Sequence, residues 1–298
     1  ACTPSWQEVC AGDDAALFKG LAHPVFTTDA QREGVHFRRQ WQTMAEIGRK
    51  AVEITFSDLA ASYATPAGLF VNLTLPDTVS EADIRELYRG IDGALTAYGA
   101  ALGGGNISSG RQFSLDLFAV GEGRALFPGR DAASAGDGLF VTGPLGLARA
   151  GLACLQKGDP SFPSLVESFI SPSARFDAAQ ILAENDVRCV MDISDGLFGD
   201  AGHIAAASRL TISFSPEAFT ILPDLAAFCE TYGSDPVREI LSGGEDYELL
   251  FACSDETFEQ IRSQIPQAHR VGKCLPYDGR QVAGLPADIV SYRHGGNR

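Results

Sequence analysis

Five short segments place carboxylates and hydroxyls at the ends of apolar runs: Gly12-Asp13-Asp14, Thr27-Thr28-Asp29, Ser57-Asp58, Asp192-Ile193-Ser194-Asp195 and Gly243-Gly244-Glu245-Asp246. Any one of them serves equally well as a turn or a helix cap, because short polar side chains accept backbone N–H groups and glycine tolerates tight turns. Together they offer more. Oxygen donors without a His or Cys cluster are a hard-cation ligand set, suited to Mg²⁺, which keeps some of its waters and shares its coordination sphere with phosphate oxygens. Several Mg²⁺ ions held on aspartates would let an acidic surface take up a polyphosphate, since the metals invert the local charge.

Phosphate binding also calls for exposed backbone amides. The chain has no G-x-x-x-x-G-K-[ST] loop and no G-x-G-x-x-G opening a helix after a strand, so the two common phosphate cradles are absent. It also lacks a G-x-S-x-G elbow and an H-E-x-x-H pair, which argues against serine hydrolase and zinc protease chemistry. What it has is Gly103-Gly104-Gly105-Asn106, read either as a plain glycine-rich turn or as one whose bare amides approach a phosphate.

The elements that must carry these segments follow from hydrophobic spacing. Ser80-Glu81-Ala82-Asp83 reads as a capped helix start, and Ile84, Leu87, Tyr88, Ile91, Leu95 and Tyr98 recur at helical spacing up to the glycines at 103–105. Residues 44–62 read as a second helix, and 25–28, 68–75 and 113–119 as strands. After a break at residues 121–136 the pattern restarts, with strands at 138–142, 188–191, 247–252 and 268–274 and helices at 147–156, 175–185, 196–208 and 255–264. Interleaved strands and helices indicate an α/β or α+β fold. The break divides the chain into an N-terminal domain, residues 1–126, and a C-terminal domain, residues 127–298.

Composition narrows the class. A chain of 298 residues that is 45% hydrophobic has material for one large or two medium globular units. With 23 Lys and Arg against 38 Asp and Glu, the net charge is -15, so no broad basic surface exists for nucleic acid. No apolar stretch reaches membrane-spanning length and the first residues do not read as a secretion signal, so neither nucleic acid nor membrane is an expected partner. Seven cysteines, scattered and odd in number, read as free thiols in a reducing, cytoplasmic compartment.

Taken in order, GDDAA (12–16), TTD with EGVHF (27–29, 33–37), SDLAA (57–61), the GGN segment (104–106), GD-x-x-x-VTG-x-LG (136–146), DISDGL (192–197) and LSGGEDYELLF (241–251) resemble the thiamine-monophosphate kinase family. That family belongs to the superfamily of aminoimidazole ribonucleotide synthetase, selenophosphate synthetase and a hydrogenase maturation protein. The resemblance implies a two-domain aminoimidazole ribonucleotide synthetase-like fold whose N-terminal sheet pairs into a barrel across a homodimer, with ATP and its Mg²⁺ ions near that interface. It implies direct in-line transfer of the γ-phosphoryl group of ATP to thiamine monophosphate, giving thiamine diphosphate, a reaction carried by positioning and charge neutralisation. Carried over by position, Asp14, Thr27, Thr28, Asp29, Asp58, Asn106, Asp192 and Asp195 would ligate Mg²⁺, with Asp29, Asp58 and Asp192 central to catalysis. Gly105, Asn106, Arg130 and Ser194 would contact ATP, and His36, Glu245 and Tyr292 would contact thiamine monophosphate.

The sequence departs from that family at three places. Asn106 stands where the family's turn has an aspartate metal ligand, which removes one negative charge and predicts weaker Mg²⁺ binding. Ser62-Tyr63 replaces Met-Gly after Ser-Asp-Leu-Ala-Ala, so the local backbone or pocket wall is expected to differ. The strand expected ahead of Gly12 has room for very few residues, which bears on ordering of that edge and on the dimer. A second reading stays open beside the kinase: a paralogue that binds nucleotide or a thiamine-like phosphate with little or no turnover, or another ATP-using member of the superfamily.

Overall fold

A computed structural model describes residues 7–9 and 15–285, so Asp14 and Tyr292 lie outside the described residues. Two compact units share the chain, one made of residues 1–60 and 64–125, the other of residues 61–63 and 126–298.

In the first unit, β1 (Gln7–Val9) and β2 (Leu17–Phe18) form a small antiparallel ribbon. β3 (Pro24–Arg32), α1 (Met44–Ala61), β4 (Thr65–Leu75), α2 (Glu81–Tyr98), β5 (Ala101–Ser109) and β6 (Ser114–Glu122) follow. Their four strands make a sheet in the order β3-β6-β4-β5, with β4 and β5 parallel and β6 antiparallel to both its neighbours. Leu69, Val71, Leu73, Leu115 and Leu117 alternate onto one face and are fully buried. The N-terminus of α2 carries the capping box the sequence announces: Ser80 Oγ accepts from Asp83 N at 3.2 Å and Asp83 Oδ2 accepts from Ser80 N at 2.8 Å. The helix stops at Gly99, whose φ of 66° is the left-handed cap glycine takes freely.

The glycines at 103–105 are therefore neither the helix stop nor a turn; they lie inside strand β5. A Cβ on Gly103 would stand 2.7 Å from the Phe70 ring and one on Gly105 only 2.0 Å from the Val71 carbonyl oxygen. Missing side chains let β5 close on β4 where β5 carries the extra residue of a bulge, Gly103, as Leu69 and Phe70 face Leu102 and Gly104. The helices α1 and α2 meet in the same way, at Gly48 and Gly90, where a Cβ would fall 2.2 Å from the Leu87 carbonyl oxygen and 1.9 Å from that of Ala45.

The second unit contains β7 (Gly138–Val141), α3 (Leu147–Lys157), α4 (Pro163–Ile170), α5 (Phe176–Glu184), β8 (Cys189–Asp192), α6 (Leu197–Ser208) and β9 (Leu210–Phe214). It continues with α7 (Pro223–Tyr232), α8 (Pro236–Ser242), β10 (Leu249–Cys253), α9 (Asp255–Arg262), β11 (His269–Pro276) and β12 (Val282–Ala283). Six strands run in the order β12-β9-β11-β7-β10-β8, antiparallel except for the β12–β9 pair. Leu139, Val141, Met191, Ile204, Leu250 and Val271 are among the residues of its core. Because β10 runs against both β7 and β8, the chain leaves β7, leaves β8 and enters β10 at one end of the sheet, pairing Leu250 with Val141 and Leu249 with Asp192.

Tyr63 shows how a side chain occupies a position where the family has glycine. Its φ is 56°, in the left-handed region that glycine adopts without strain. The ring is buried, and its hydroxyl donates to the Val187 carbonyl at 2.9 Å. Among the described residues no helix is long and apolar enough to cross a membrane.

The two glycines of α2 give opposite expectations. Gly90→Ala forces a methyl into the Ala45 carbonyl and should destabilise the protein by about 1–3 kcal/mol. Gly93→Ala meets nothing within 4 Å and should be neutral or stabilise by up to about 1 kcal/mol through helix propensity. Urea unfolding of both variants checks the pair, and equal effects would contradict the helix contact.

Candidate active site

In the first unit, β3 and the end of α1 bring two of the acidic turns together. Thr27 Oγ1 donates to Asp58 Oδ2 at 2.5 Å. Asp29 lies two residues further along β3, on the same side of the strand as Thr27, and accepts from Ala30 N at 2.5 Å. The ladder aligns Asp29, Leu117, Val71 and Gly105 in one row and Ala30, Asp116, Asn72 and Asn106 in the next. Gly105 and Asn106 are exposed on β5, an edge strand of the described sheet. His36 sits in the turn after β3, where its Nδ1 accepts from Arg32 N at 3.1 Å; that bond places the neutral ring's proton on Nε2.

In the second unit, three loops at one end of the sheet interlock. The segment after β8 and the segment before β10 are tied by backbone bonds from Ile193 N to Glu248 O (2.8 Å), Tyr247 N to Ile193 O (2.9 Å) and Glu245 N to Ser194 O (2.9 Å). Glycine permits the approach: a Cβ on Gly244 would stand 2.6 Å from the Ser194 carbonyl oxygen and one on Gly196 3.1 Å from that of Gly243. Glu245 and Tyr247 hold left-handed φ values of 67° and 52°, a strained conformation for residues with side chains. Asp192, Ser194, Asp195 and Glu245 are thus brought together here by their backbone. Arg130 is exposed in the segment before β7, its carbonyl accepting from Ser208 Oγ at 2.8 Å.

Three carboxylates outside the ligand set implied by the resemblance hold these loops. Asp200, buried in the first turn of α6, accepts from Asp195 N at 3.2 Å and Gly196 N at 3.1 Å. Burial first, then the charges of Asp192 and Asp195, push its carboxyl up to about 8. Asp246 accepts from Gly146 N at 2.7 Å and Ala148 N at 3.2 Å, at the start of α3. Burial pushes it up to about 7 against the pull of those amides. Glu248 accepts from Thr142 Oγ1 at 2.5 Å and pairs with Arg175, and burial raises its pKa despite that guanidinium. The same carboxylate explains Gly143, whose Cβ would stand 2.5 Å from it.

Among the described residues no group of three or more His, Cys, Asp or Glu is placed to hold a metal ion unaided. What each unit offers is an incomplete oxygen set, Thr27, Asp29 and Asp58 in one and Asp192 and Asp195 in the other. This fits Mg²⁺, which fills its sphere with waters and phosphate oxygens rather than with an all-protein cage. The charge already felt at Asp200 is what a divalent cation would relieve.

Two family profiles match the chain: AIR synthase related protein, N-terminal domain, over residues 12–123, and AIR synthase related protein, C-terminal domain, over residues 134–276. A thiamine-monophosphate kinase of Aquifex aeolicus is 36% identical over 288 residues, 95% of this chain and 92% of its own. One from Mycobacterium tuberculosis is 35% identical over 246 residues, 81% and 73% of the two chains. This chain belongs to the thiamine-monophosphate kinase family.

Solved members share the fold. The structure of AaThiL complexed with AMPPCP and TMP matches with a TM-score of 0.84 at 32% identity, over 91% of this chain and 87% of that one. The thiamine-monophosphate kinase of Stenotrophomonas maltophilia K279a also gives 0.84, at 30% identity over 94% and 92%. The fold extends beyond the kinases, to hydrogenase maturation protein HypE at 18% identity and a TM-score of 0.74. Both halves of the fold expected from the sequence are thus those of the AIR synthase-like family.

The Arg175–Glu248 pair carries a prediction. Both side chains are less than a fifth exposed, so Arg175→Ala leaves a buried carboxylate without its cation and should cost about 3 kcal/mol at neutral pH. Glu248, already raised from 4.5, is driven higher by the loss. A raised acid binds its proton more tightly in the folded state, so the variant's deficit should vanish below about pH 4 and grow as pH rises. Arg175→Ala/Glu248→Gln should recover most of the stability. Thermal unfolding from pH 4 to 8 tests this, and a deficit independent of pH would contradict it.

Proposed function

We propose that this protein transfers the γ-phosphoryl group of ATP to the phosphate of thiamine monophosphate, giving thiamine diphosphate and ADP. The observation that carries the reading is the interlock of the Asp192–Gly196 and Gly243–Glu248 loops, in a chain that matches the kinase family along nearly its whole length. AMPPCP is a methylene analogue of ATP, so the AaThiL complex places a nucleotide and a monophosphate on a relative of the same fold.

A phosphate oxygen of thiamine monophosphate attacks the γ-phosphorus, and the bond to the β–γ bridging oxygen breaks with its electrons leaving on ADP. The attacking oxygen is already ionised at neutral pH, so no general base is required and the protein's work is to align the reactants and offset charge. Thr27, Asp29 and Asp58 and, in the second unit, Asp192 and Asp195 are the residues we assign to Mg²⁺, with Thr28 contributing a backbone oxygen because its side chain lies on the other face of β3; Asn106, on the opposite edge strand β5, and Asp14 are assigned to Mg²⁺ as separate donors. When bound, the ions supply Lewis-acid neutralisation of the phosphate oxygens. Ser194, Arg130 and the Gly105–Asn106 backbone serve the nucleotide, Arg130 with a guanidinium fork suited to phosphate. Glu245 faces the cationic thiazolium, and His36 and Tyr292 complete the acceptor's contacts.

We also read the protein as a homodimer acting in the cytoplasm. The sheet of the first unit exposes Phe26 at 74% and Phe118 at 43%; the ladder sets Thr28 opposite Phe118, so the two aromatics share a face. Such a face suits a second copy. The five described cysteines are buried free thiols, as a reducing compartment permits.

Chromatography of the protein with ATP, thiamine monophosphate and millimolar Mg²⁺ should show thiamine diphosphate and ADP in equal amounts. Bound ATP without product would instead favour the non-catalytic paralogue. Asp192→Asn should lower kcat by at least about a hundredfold with the fold intact by circular dichroism; full retained activity would remove Asp192 from the mechanism. Asn106→Asp, which restores a carboxylate, should lower the Mg²⁺ concentration for half-maximal rate, and an unchanged requirement would take Asn106 out of the metal site.

A further inference from the structure

The Gly243–Glu248 loop is built against its own backbone preferences. Glu245 and Tyr247 both hold left-handed φ, a state that costs on the order of 1 kcal/mol each for residues with a Cβ. The residue between them is Asp246, and its carboxylate reaches the first turn of α3, where Gly146 N and Ala148 N donate to its two oxygens at 2.7 and 3.2 Å. Gly146, the helix's N-cap with φ of 80°, offers no side chain to satisfy those amides, so Asp246 is the cap that α3 lacks. The entry to the loop is held separately: Arg149, in that same turn, pairs with Glu239 at 2.7 Å and donates to the last carbonyl region of α8 at Ser242 O, 3.2 Å away. The exit is held by Glu248 on Thr142 and Arg175.

We infer that Asp246 is a positioning residue for the acceptor substrate: by capping α3 it locks the left-handed pair around it and so fixes where the Glu245 side chain points. The inference rests on the reading of Glu245 as a contact to thiamine monophosphate, and it adds what holds that contact in place. Asp246 does not touch the substrate in this scheme. The carboxylate is suited to the task because it accepts at both oxygens, whereas an amide in its place accepts at one and confronts the second helix N–H with its own NH₂ group.

The charged groups around Asp246 are few. Burial raises the pKa of Asp246 most, the amides of α3 oppose it, and Glu248 on the strand side adds to the rise. Arg149 is engaged by Glu239, and Arg175 by Glu248 and Asp177.

Two measurements on the full-length protein test the inference. In steady-state assays with Mg²⁺, Asp246→Asn should raise KM for thiamine monophosphate about tenfold, the effect of one buried donor left unpaired, while KM for ATP stays within about twofold. If both constants move together, or neither does, Asp246 is not positioning the acceptor site. Hydrogen–deuterium exchange of the ligand-free protein gives a readout independent of catalysis. Asp246→Asn should speed exchange across residues 243–248 and at 146–148 by about tenfold or more, with β3, β4 and β6 unchanged. Unchanged protection of the loop would overturn the inference whatever the substrate is. Glu245→Gln separates the two layers. If it leaves KM for thiamine monophosphate unaltered while Asp246→Asn still loosens the loop, the assignment of Glu245 fails and the structural lock stands without its role in substrate binding.

Discussion

A carboxylate taken out of water must be given donors, and the second unit is organised around three that have been. Leaving an ionised carboxylate in the interior costs several kcal/mol, a sum comparable with the whole stability of a domain. Asp200 and Asp246 meet that demand at the starts of helices α6 and α3, where backbone N–H groups have no partner within the helix. Glu248 meets it with Arg175 and Thr142. The helix starts gain acceptors and the carboxylates gain N–H donors, so each arrangement supports the other. The loops that bear Asp192, Ser194, Asp195 and Glu245 are strung between these fixed points. Several glycines of the motifs then have a reason: Gly143 leaves room for the Glu248 carboxylate, and Gly196 and Gly244 let the two loops touch through bare backbone.

The first unit treats its acids differently. Thr27, Asp29 and Asp58 are half-buried on the edge of a sheet and the end of a helix, within reach of water, and two of them satisfy each other through one hydrogen bond. Nothing there is pinned by a helix N-terminus. A carboxylate that keeps part of its hydration exchanges water for a metal ion at little cost, whereas Asp200 and Asp246 have given their oxygens to amides. Oxygen atoms available for binding and oxygen atoms committed to architecture are thus distinguished by their partners, although both belong to aspartates.

That separation was not legible in the sequence. The local features were: the Ser80/Asp83 box and the run from Ile84 to Tyr98 predicted α2, and four of the five acidic segments fall where the structure brings them together in pairs, Thr27–Asp29 with Asp58 and Asp192–Asp195 with Gly243–Asp246. Failures arose where the deciding partner is distant. Gly103–Gly105 looked like a turn because glycines between two elements usually are one, yet the Phe70 ring and the Val71 carbonyl across the sheet make them strand. α4, α7 and α8 are short, begin with proline and are placed by packing rather than by periodicity. Asp246 stands 100 residues from Gly146 and Glu248 73 from Arg175, so no spacing rule joins them. Nor could the sequence say that Tyr63 takes a φ of 56° or that its hydroxyl donates to the Val187 carbonyl, 124 residues away.

The acidity of the chain bears directly on the proposed chemistry. Phosphoryl transfer between two phosphates brings an anionic nucleophile to an anionic electrophile, and the barrier includes their repulsion. A basic site would neutralise this with Lys and Arg, but among the residues assigned to nucleotide and acceptor only Arg130 is a fixed cation, and the net charge of -15 gives no supporting field. In the proposed reading the neutralising charge is imported as metal ions, and hard oxygen donors are the means of importing it. Carboxylates that would repel ATP by themselves attract it once each holds part of an ion's coordination sphere, and the same ion ties the phosphate to the residues that position it. In the proposed reading, asparagine at 106 in place of a carboxylate weakens the hold on a cation while leaving a neutral oxygen donor, so turnover is expected to respond steeply to magnesium concentration.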